Sequence, residues 1–485
     1  MRANVVSVIL FALLATLGVS LWMRPKQPHT GALPRASAST APSASARPSA
    51  SAPVVAAPKS SGPLPLTPAK PKPKLGRPLR VVAPGWDLLA PVLLEIERDK
   101  GKKDFGGAGL AVEAKAVDDM SAVEGALARG GGDESGADVA LMPLPALVAS
   151  YDKLRALDPV VFFVTGWSAG REILTGPTLS QLPAKGELVV DSGKTPSSTL
   201  LALFCLDQSG VAPERIKLDG EKPELVAVSH EQDKGDDAVK QTSVLVSTAD
   251  ASRLIPFVAI APRSLLEKNS DALLGWVKGW VAGQKKLSSD PPSAARSIAA
   301  LKDAPEPIAL LARLGELSPA SLYESAELFG LSGRGAVTLS SLLTETWKLW
   351  RAASLTNAPP PESMPVDGRI VAGLVRADPE LAAPPERAAD KKSEGAPKTG
   401  AVLLVRRLRG ATLDEDAALE AIGFLAGIFP RSPLRVTVHR GGAAASKSLA
   451  GRAVDRFGLT PDRVTAGKLA PKPGTIVSIE VLSVP

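Results

Sequence analysis

Apolar and polar positions follow three regimes along this chain of 485 residues. Asn4 to Met23 is one apolar run. Residues 25–78 are Pro, Ala and Ser with scattered cations and no apolar periodicity. From Leu79 onward short apolar runs alternate with helical spacing. Residues 79–83 read as a strand, 84–87 as a turn and 88–97 as a helix. Residues 110–117 alternate as a strand, with Leu110, Val112, Ala114 and Ala116 on one side. A helix over 122–129 and a short buried strand over 138–141 follow. The wholly apolar run 160–164 predicts a central parallel strand. Residues 187–191 and 243–247 read as further strands, and helices dominate 265–353. Strand and helix in alternation predict an α/β fold with parallel sheets.

The first run is about twenty residues, enough to cross roughly 30 Å of hydrocarbon as a helix. Gly18-Val19-Ser20 would serve a signal peptidase, but Leu21-Trp22-Met23 carry the run past it. Trp22 suits a membrane–water interface. The expectation for residues 1–24 is an uncleaved anchor, with a removable signal as the alternative. Residues 25–78 hold eight Lys or Arg and no acid, and their composition predicts a disordered linker. Its Pro-rich end should be stiff and extended, and at about 3.1 Å per residue for polyproline II the whole linker could reach on the order of 100 Å or more. Residues 1–78 carry ten cations and no acid, while the whole chain is +7, so residues 79–485 sum to about −3. The basic character belongs to the linker, which removes a nucleic-acid partner and leaves attraction to anionic lipid or plain solubility.

Four stretches between residues 79 and 376 carry a resemblance. They are Arg80-Val81-Val82-Ala83-Pro84-Gly85-Trp86, Gly136-Ala137-Asp138-Val139-Ala140, Val164-Thr165-Gly166-Trp167-Ser168-Ala169-Gly170, and Ser247-Thr248-Ala249-Asp250 with the Ile255-Pro256-Phe257-Val258 run after it. In order and spacing they resemble the periplasmic substrate-binding proteins of the nitrate/sulfonate/taurine ABC-transporter type. The resemblance implies a two-lobed type II binding-protein fold, a cleft for a small anionic or organic solute, a hinge, and a membrane transporter as partner. One departure is Gly235 to Gln241, shorter than the corresponding second-lobe region of the family.

Asp191-Ser192-Gly193-Lys194-Thr195-Pro196-Ser197-Ser198 follows a predicted strand and opens a helix. Hydroxyls and free N–H groups at a helix N-terminus can hold an oxyanion. Ordinary capping by Thr195 or Ser197 is the simpler alternative. Trp86 and Trp167 stand in predicted turns after strands, where ligands bind in open α/β sheets; they are aromatic-wall candidates or core-edge residues. The expected ligand contacts are Trp86, Ser168, Ser192, Gly193, Thr195 and Ser197. Trp276 with Trp280, and Trp347 with Trp350, are expected on buried helix faces.

Residues 377–399 are Pro-, Ala- and charge-rich and read as a second linker. Residues 400–485 follow as a small α+β module of pattern β-α-β-α-β-β: strands over 402–405, 434–438, 464–468 and 475–482, helices over 414–429 and 448–457. The stretches Leu434-Arg435-Val436-Thr437-Val438-His439, Leu449-Ala450-Gly451-Arg452-Ala453-Val454 and Leu459-Thr460-Pro461-Asp462-Arg463-Val464 resemble the OmpA-like peptidoglycan-binding domain. In that family an Asp and an Arg hold the diaminopimelate group. Arg452 stands at the Arg position, and Gly441 stands where the acid would be.

The three histidines, His29, His230 and His439, stand far apart and form no catalytic pattern. Cys205 is the sole cysteine, so no intramolecular disulfide can form, and its apolar setting predicts a buried thiol. No Cys-x-x-Cys, His-x-x-x-His or Walker spacing is present. The sequence therefore predicts a non-enzyme with no cofactor and no metal. Its expected place is the periplasm, tethered to the inner membrane. Two roles are expected: capture of a small solute between two lobes, or a structural envelope role contacting peptidoglycan or protein partners.

Overall fold

The computed structural model describes residues 75–182, 185–229, 243–332, 336–380 and 400–484. The expected anchor, nearly all of the linker 25–78, the short region 235–241 and most of 377–399 lie outside them.

A six-stranded sheet forms lobe 1. It contains β1 (Leu79–Ala83), β2 (Val112–Ala116), β3 (Val139–Pro143), β4 (Pro159–Ser168), β10 (Pro256–Pro262) and β11 (Leu317–Pro319), in the order β11-β4-β10-β3-β1-β2. Lobe 2 is a five-stranded sheet of β5 (Glu172–Thr175), β6 (Leu188–Asp191), β7 (Ile216–Leu218), β8 (Leu225–Ser229) and β9 (Val244–Ser247), ordered β7-β6-β8-β5-β9. The chain leaves lobe 1 between β4 and β5 and returns between β9 and β10. Two sheets joined by two crossings form the two-lobed α/β fold of the periplasmic-binding-protein type.

The returning strand changes one expectation. Residues 160–164 are buried on both faces, as a central strand should be. They pair antiparallel with β10, however, and the end of the same strand, Gly166 to Ser168, pairs antiparallel with β11; the one parallel partner among the described residues is an isolated bridge from Val161 to Val366. β10 re-enters lobe 1 running against β3 and β4 and slots between them. Continuous apolarity reports two-sided burial, not strand direction.

Helices cover both faces of the lobe 1 sheet. On one face α1 (Trp86–Asp99) packs against the long helix α6 (Ser270–Ser289), with Trp276 and Trp280 both buried. On the other lie α2 (Met120–Arg129) and α3 (Leu144–Leu154). Tyr151 of α3 meets Trp347 edge-on, ring centres 5.0 Å apart, on α10 (Leu339–Ala352). These four Trp are core residues, as their spacing predicts.

The lobe 2 helix Pro196–Gln208, here α4, is buried around its whole circumference from Ser197 to Leu206. A helix apolar on all sides must have neighbours on all sides. Here they are its own sheet, α3 and α10, and the C-terminal module. That module has strands β12 (Val402–Arg409), β13 (Leu434–Val438), β14 (Val464–Ala466) and β15 (Thr475–Leu482) in the order β12-β15-β13-β14. Its helices are α12 (Glu415–Ile428) and α13 (Gly442–Phe457). The second starts six residues before the expected point: Gly441, at φ 131°, turns the chain, and Ala443 to Ala445 are strong helix formers. Phe204 of α4 lies 6.2 Å from Phe424 and 6.4 Å from Phe429 of the module, centre to centre. One apolar core thus runs from lobe 1 through lobe 2 into the module.

Candidate functional site

The two crossings are tied to each other by one hydroxyl. Thr248, fully buried after β9, receives the N–H of Gly170 at 3.0 Å and of Glu172 at 3.2 Å through its Oγ1. The same oxygen lies 2.9 Å from Ser168 Oγ and donates to Glu172 Oε2 at 3.2 Å. Ser168 also donates to Glu172. Backbone bonds reinforce the knot: Ser168 N–H to Ile255 O at 3.0 Å, and Thr248 N–H to Glu172 O at 2.9 Å. Ser168 is fully buried here, so it is a strut of the crossing and not the gap-facing contact expected from sequence.

The loop before α4 shows the same inward use of its polar groups. Ser192 donates its N–H (2.8 Å) and its hydroxyl (3.0 Å) to Asp219 Oδ1. Gly193 N–H goes to Asp191 Oδ1 at 3.0 Å. Thr195 is the N-cap, taking Ser198 N–H on Oγ1 at 3.2 Å. Ser197 is buried in the first turn. Four of the six expected residues therefore share one loop, in which the chain's own carboxylates and cap hold the amides of Ser192, Gly193 and Ser198. The capping reading of Thr195 is what the structure shows. Trp86, the first residue of α1, is half-buried against the lobe 1 core, and Trp167 is buried at the end of β4 under the guanidinium of Arg253, 4.7 Å from its ring centre. Burial, reinforced by Arg431, pushes the Arg253 pKa down to about 10.

Sequence reasoning missed the strongest feature of this region. Arg171, 4% exposed in the first crossing, forms an ion pair with Asp87, 2% exposed in the first turn of α1. Its Nε is 3.6 Å from Glu316 Oε2, and its guanidinium lies over the Phe257 ring at 5.4 Å. Gly85 lets Asp87 fold back: at φ 135° a side chain there would be strained, and a Cβ would sit 2.7 Å from Asp87 Oδ1. That Oδ1 is buried with no hydrogen-bond partner. Asp87 lines a cavity of about 50 Å³ with Thr165, Gln284, Ser318, Phe257 and Trp280. One water needs only about 10–15 Å³ of such space, so a small polar headgroup fits. Asp87, Glu172 and Glu316 outnumber Arg171, and the charge around the crossing is net negative. The one sequence signal was Arg171 itself, the first charge after the uncharged run from Pro159 to Gly170.

In the module, Arg452 on α13 is half-exposed and paired with Glu415 on α12. His439, just past β13, has Nε2 2.8 Å from Ser478 Oγ. Partial burial, with Arg407 nearby, holds its pKa below the usual imidazole value. Cys205 is fully buried, which pushes its thiol pKa far up. Among the described residues no group of three or more His, Cys, Asp or Glu could hold a metal ion, and no helix is long and apolar enough to cross a membrane.

No protein-family model matches the chain, and no curated protein matches it. Solved structures are similar to it. The periplasmic aliphatic sulphonate binding protein SsuA from Escherichia coli is 15% identical, with 58% of this chain and 88% of that one covered and a TM-score of 0.42. The alkanesulfonate-binding protein SsuA from Xanthomonas axonopodis pv. citri, bound to MOPS, is 14% identical, covering 61% and 99%, TM-score 0.41. The ligand binding component of an ABC-type import system from Staphylococcus aureus, with zinc bound, is 12% identical, covering 61% and 97%, TM-score 0.41. The assignment of this chain to the two-lobed class rests on its own strand order and its two crossings.

Proposed function

We propose that this chain is a solute-binding protein whose site lies where lobe 1 meets the crossings, and that the solute presents a small cationic or N–H-rich headgroup. The observation that carries the reading is Asp87, which lines a small cavity, pairs with Arg171 through one carboxylate oxygen and keeps the other, Oδ1, buried without a hydrogen-bond partner. An ammonium group would supply the missing hydrogen bonds, and the aromatic residues Phe257 and Trp280 line the same cavity. The expected small anion is the less favoured solute. The donors meant for it are engaged within the loop, and the crossing carries more carboxylates than cations. The cavity takes only the headgroup; the rest of the solute would lie outside it.

The periplasmic setting, the membrane tether Asn4 to Met23 and a transporter partner remain parts of this proposal that come from sequence. A thermal-shift screen of short alkylammonium ions against alkanesulfonates tests the solute class, since a ligand that binds only the folded chain raises its midpoint. Stabilisation by the ammonium series supports the proposal. Stabilisation by sulfonates alone returns the site to anions.

A second reading has its own observation. The core shared by α4 and the module favours a rigid envelope scaffold. In that case Arg452 and the OmpA-like character of the module would supply a wall contact. Retention on purified peptidoglycan, lost on Arg452→Ala, would support it.

A further inference from the structure

A groove of about 500 Å³ runs between lobe 2 and the C-terminal module. Its floor is the first half of β12, and its far wall is the segment from Ser209 to Val211 after α4. Four cations line it: Arg215 from lobe 2, and Arg407, Arg409 and Lys472 from the module. No carboxylate stands among the described lining residues. Residues 79–485 together are slightly acidic at about −3, so this concentration of cations is not what their average charge would give.

The cations are arranged against their own repulsion. Arg407 and Arg409 both line the groove, with an irregularity of β12 between Leu408 and Arg409. Arg407 Nε is buried without a hydrogen-bond partner. Burial, then Arg409, lower the Arg407 pKa, with Glu480 offsetting part of this. Glu480 is itself bridged to Arg435 at 3.1 Å. A cluster of like charges with an unanswered donor is stabilised by an anion that accepts several hydrogen bonds at once, and guanidinium forks fit phosphate oxygens. The volume falls in the range of small-molecule sites, about 300–1,000 Å³.

We infer that this groove binds a group carrying two closely spaced phosphates, borne by a free solute or by a lipid headgroup. It is separate from the Asp87 cavity and from Arg452, and it stands whether or not either of those binds anything.

The test uses the full-length chain in non-ionic detergent. Inorganic pyrophosphate is titrated by calorimetry, and mixed micelles containing cardiolipin are compared with micelles containing phosphatidylcholine. Saturable pyrophosphate binding that weakens at least tenfold in the double variant Arg407→Gln/Arg409→Gln supports the inference and indicates a free solute if cardiolipin is ignored. Cardiolipin-selective binding weakened in the same variant supports it and indicates a headgroup. Should the double variant fail to fold, Arg409→Gln and Lys472→Gln, both at exposed positions, carry the test singly. Absence of binding to either probe, or binding unchanged by these substitutions, overturns it.

Discussion

Phe204 of lobe 2 and Phe429 of the C-terminal module share one apolar contact, ring centres 6.4 Å apart. The backbone repeats the connection one residue away, where Arg253 N–H donates to Ile428 O at 3.1 Å. The module is therefore part of the wall of lobe 2, and it must travel with that lobe in any hinge motion.

Removing that contact weakens both parts together. Phe204→Ala opens a cavity in the common core and is expected to cost about 3–5 kcal/mol. Hydrogen exchange along a urea titration, resolved on peptides of lobe 2 and of the module, will give one coincident transition for the two in the parent chain. Two separated transitions in the parent would show that the core is not shared energetically.

The Asp87–Arg171 pair predicts an asymmetric response. Arg171→Ala strands two carboxylates, Asp87 and Glu316, and is expected to cost about 3–5 kcal/mol. Asp87→Asn leaves Arg171 facing Glu316 and is expected to cost clearly less. Urea midpoints at constant slope measure both.

Thr248→Val deletes the hydroxyl that gathers Gly170, Ser168 and Glu172. Leaving those buried groups short of a partner costs about 1–3 kcal/mol. Thr248→Ser, which keeps the oxygen, is expected to recover most of the loss in the same urea assay.

The fold and the site were legible to different depths. Apolar runs placed eight strands within two residues, with β1, β13 and β15 at their full bounds, while β5, β7, β8 and β11 went unread. The direction of β4 was hidden, since it depends on β10, about ninety residues later, sliding in beside it. The Ser, Gly and Thr of residues 192–198 looked like free donors because sequence shows the donors and not Asp219, which turns in from after β7. Asp87 and Arg171 are 84 positions apart and neither sits in a motif, so only folding reveals the pair.

His439 gives a pH prediction with a definite sign. Its folded pKa lies below the unfolded value, chiefly through burial and then through Arg407. The folded state thus binds its proton less readily. Its contribution is neutral above the unfolded pKa of about 6.5 and becomes destabilising as pH falls from there through the folded value. The side chain is only partly buried, so the slope is small. The difference in urea midpoint between the parent and His439→Asn, followed from pH 8 to pH 5, isolates it; a difference that does not change with pH would contradict this assignment.

The most direct test of the Asp87 site is a calorimetric titration of a short alkylammonium into the full-length chain and into Asp87→Asn, with the matching alkanesulfonate as control. The expected result is saturable heat from the ammonium in the parent, at least tenfold weaker in Asp87→Asn, and none from the sulfonate. Saturable sulfonate binding with no response to the ammonium would contradict it.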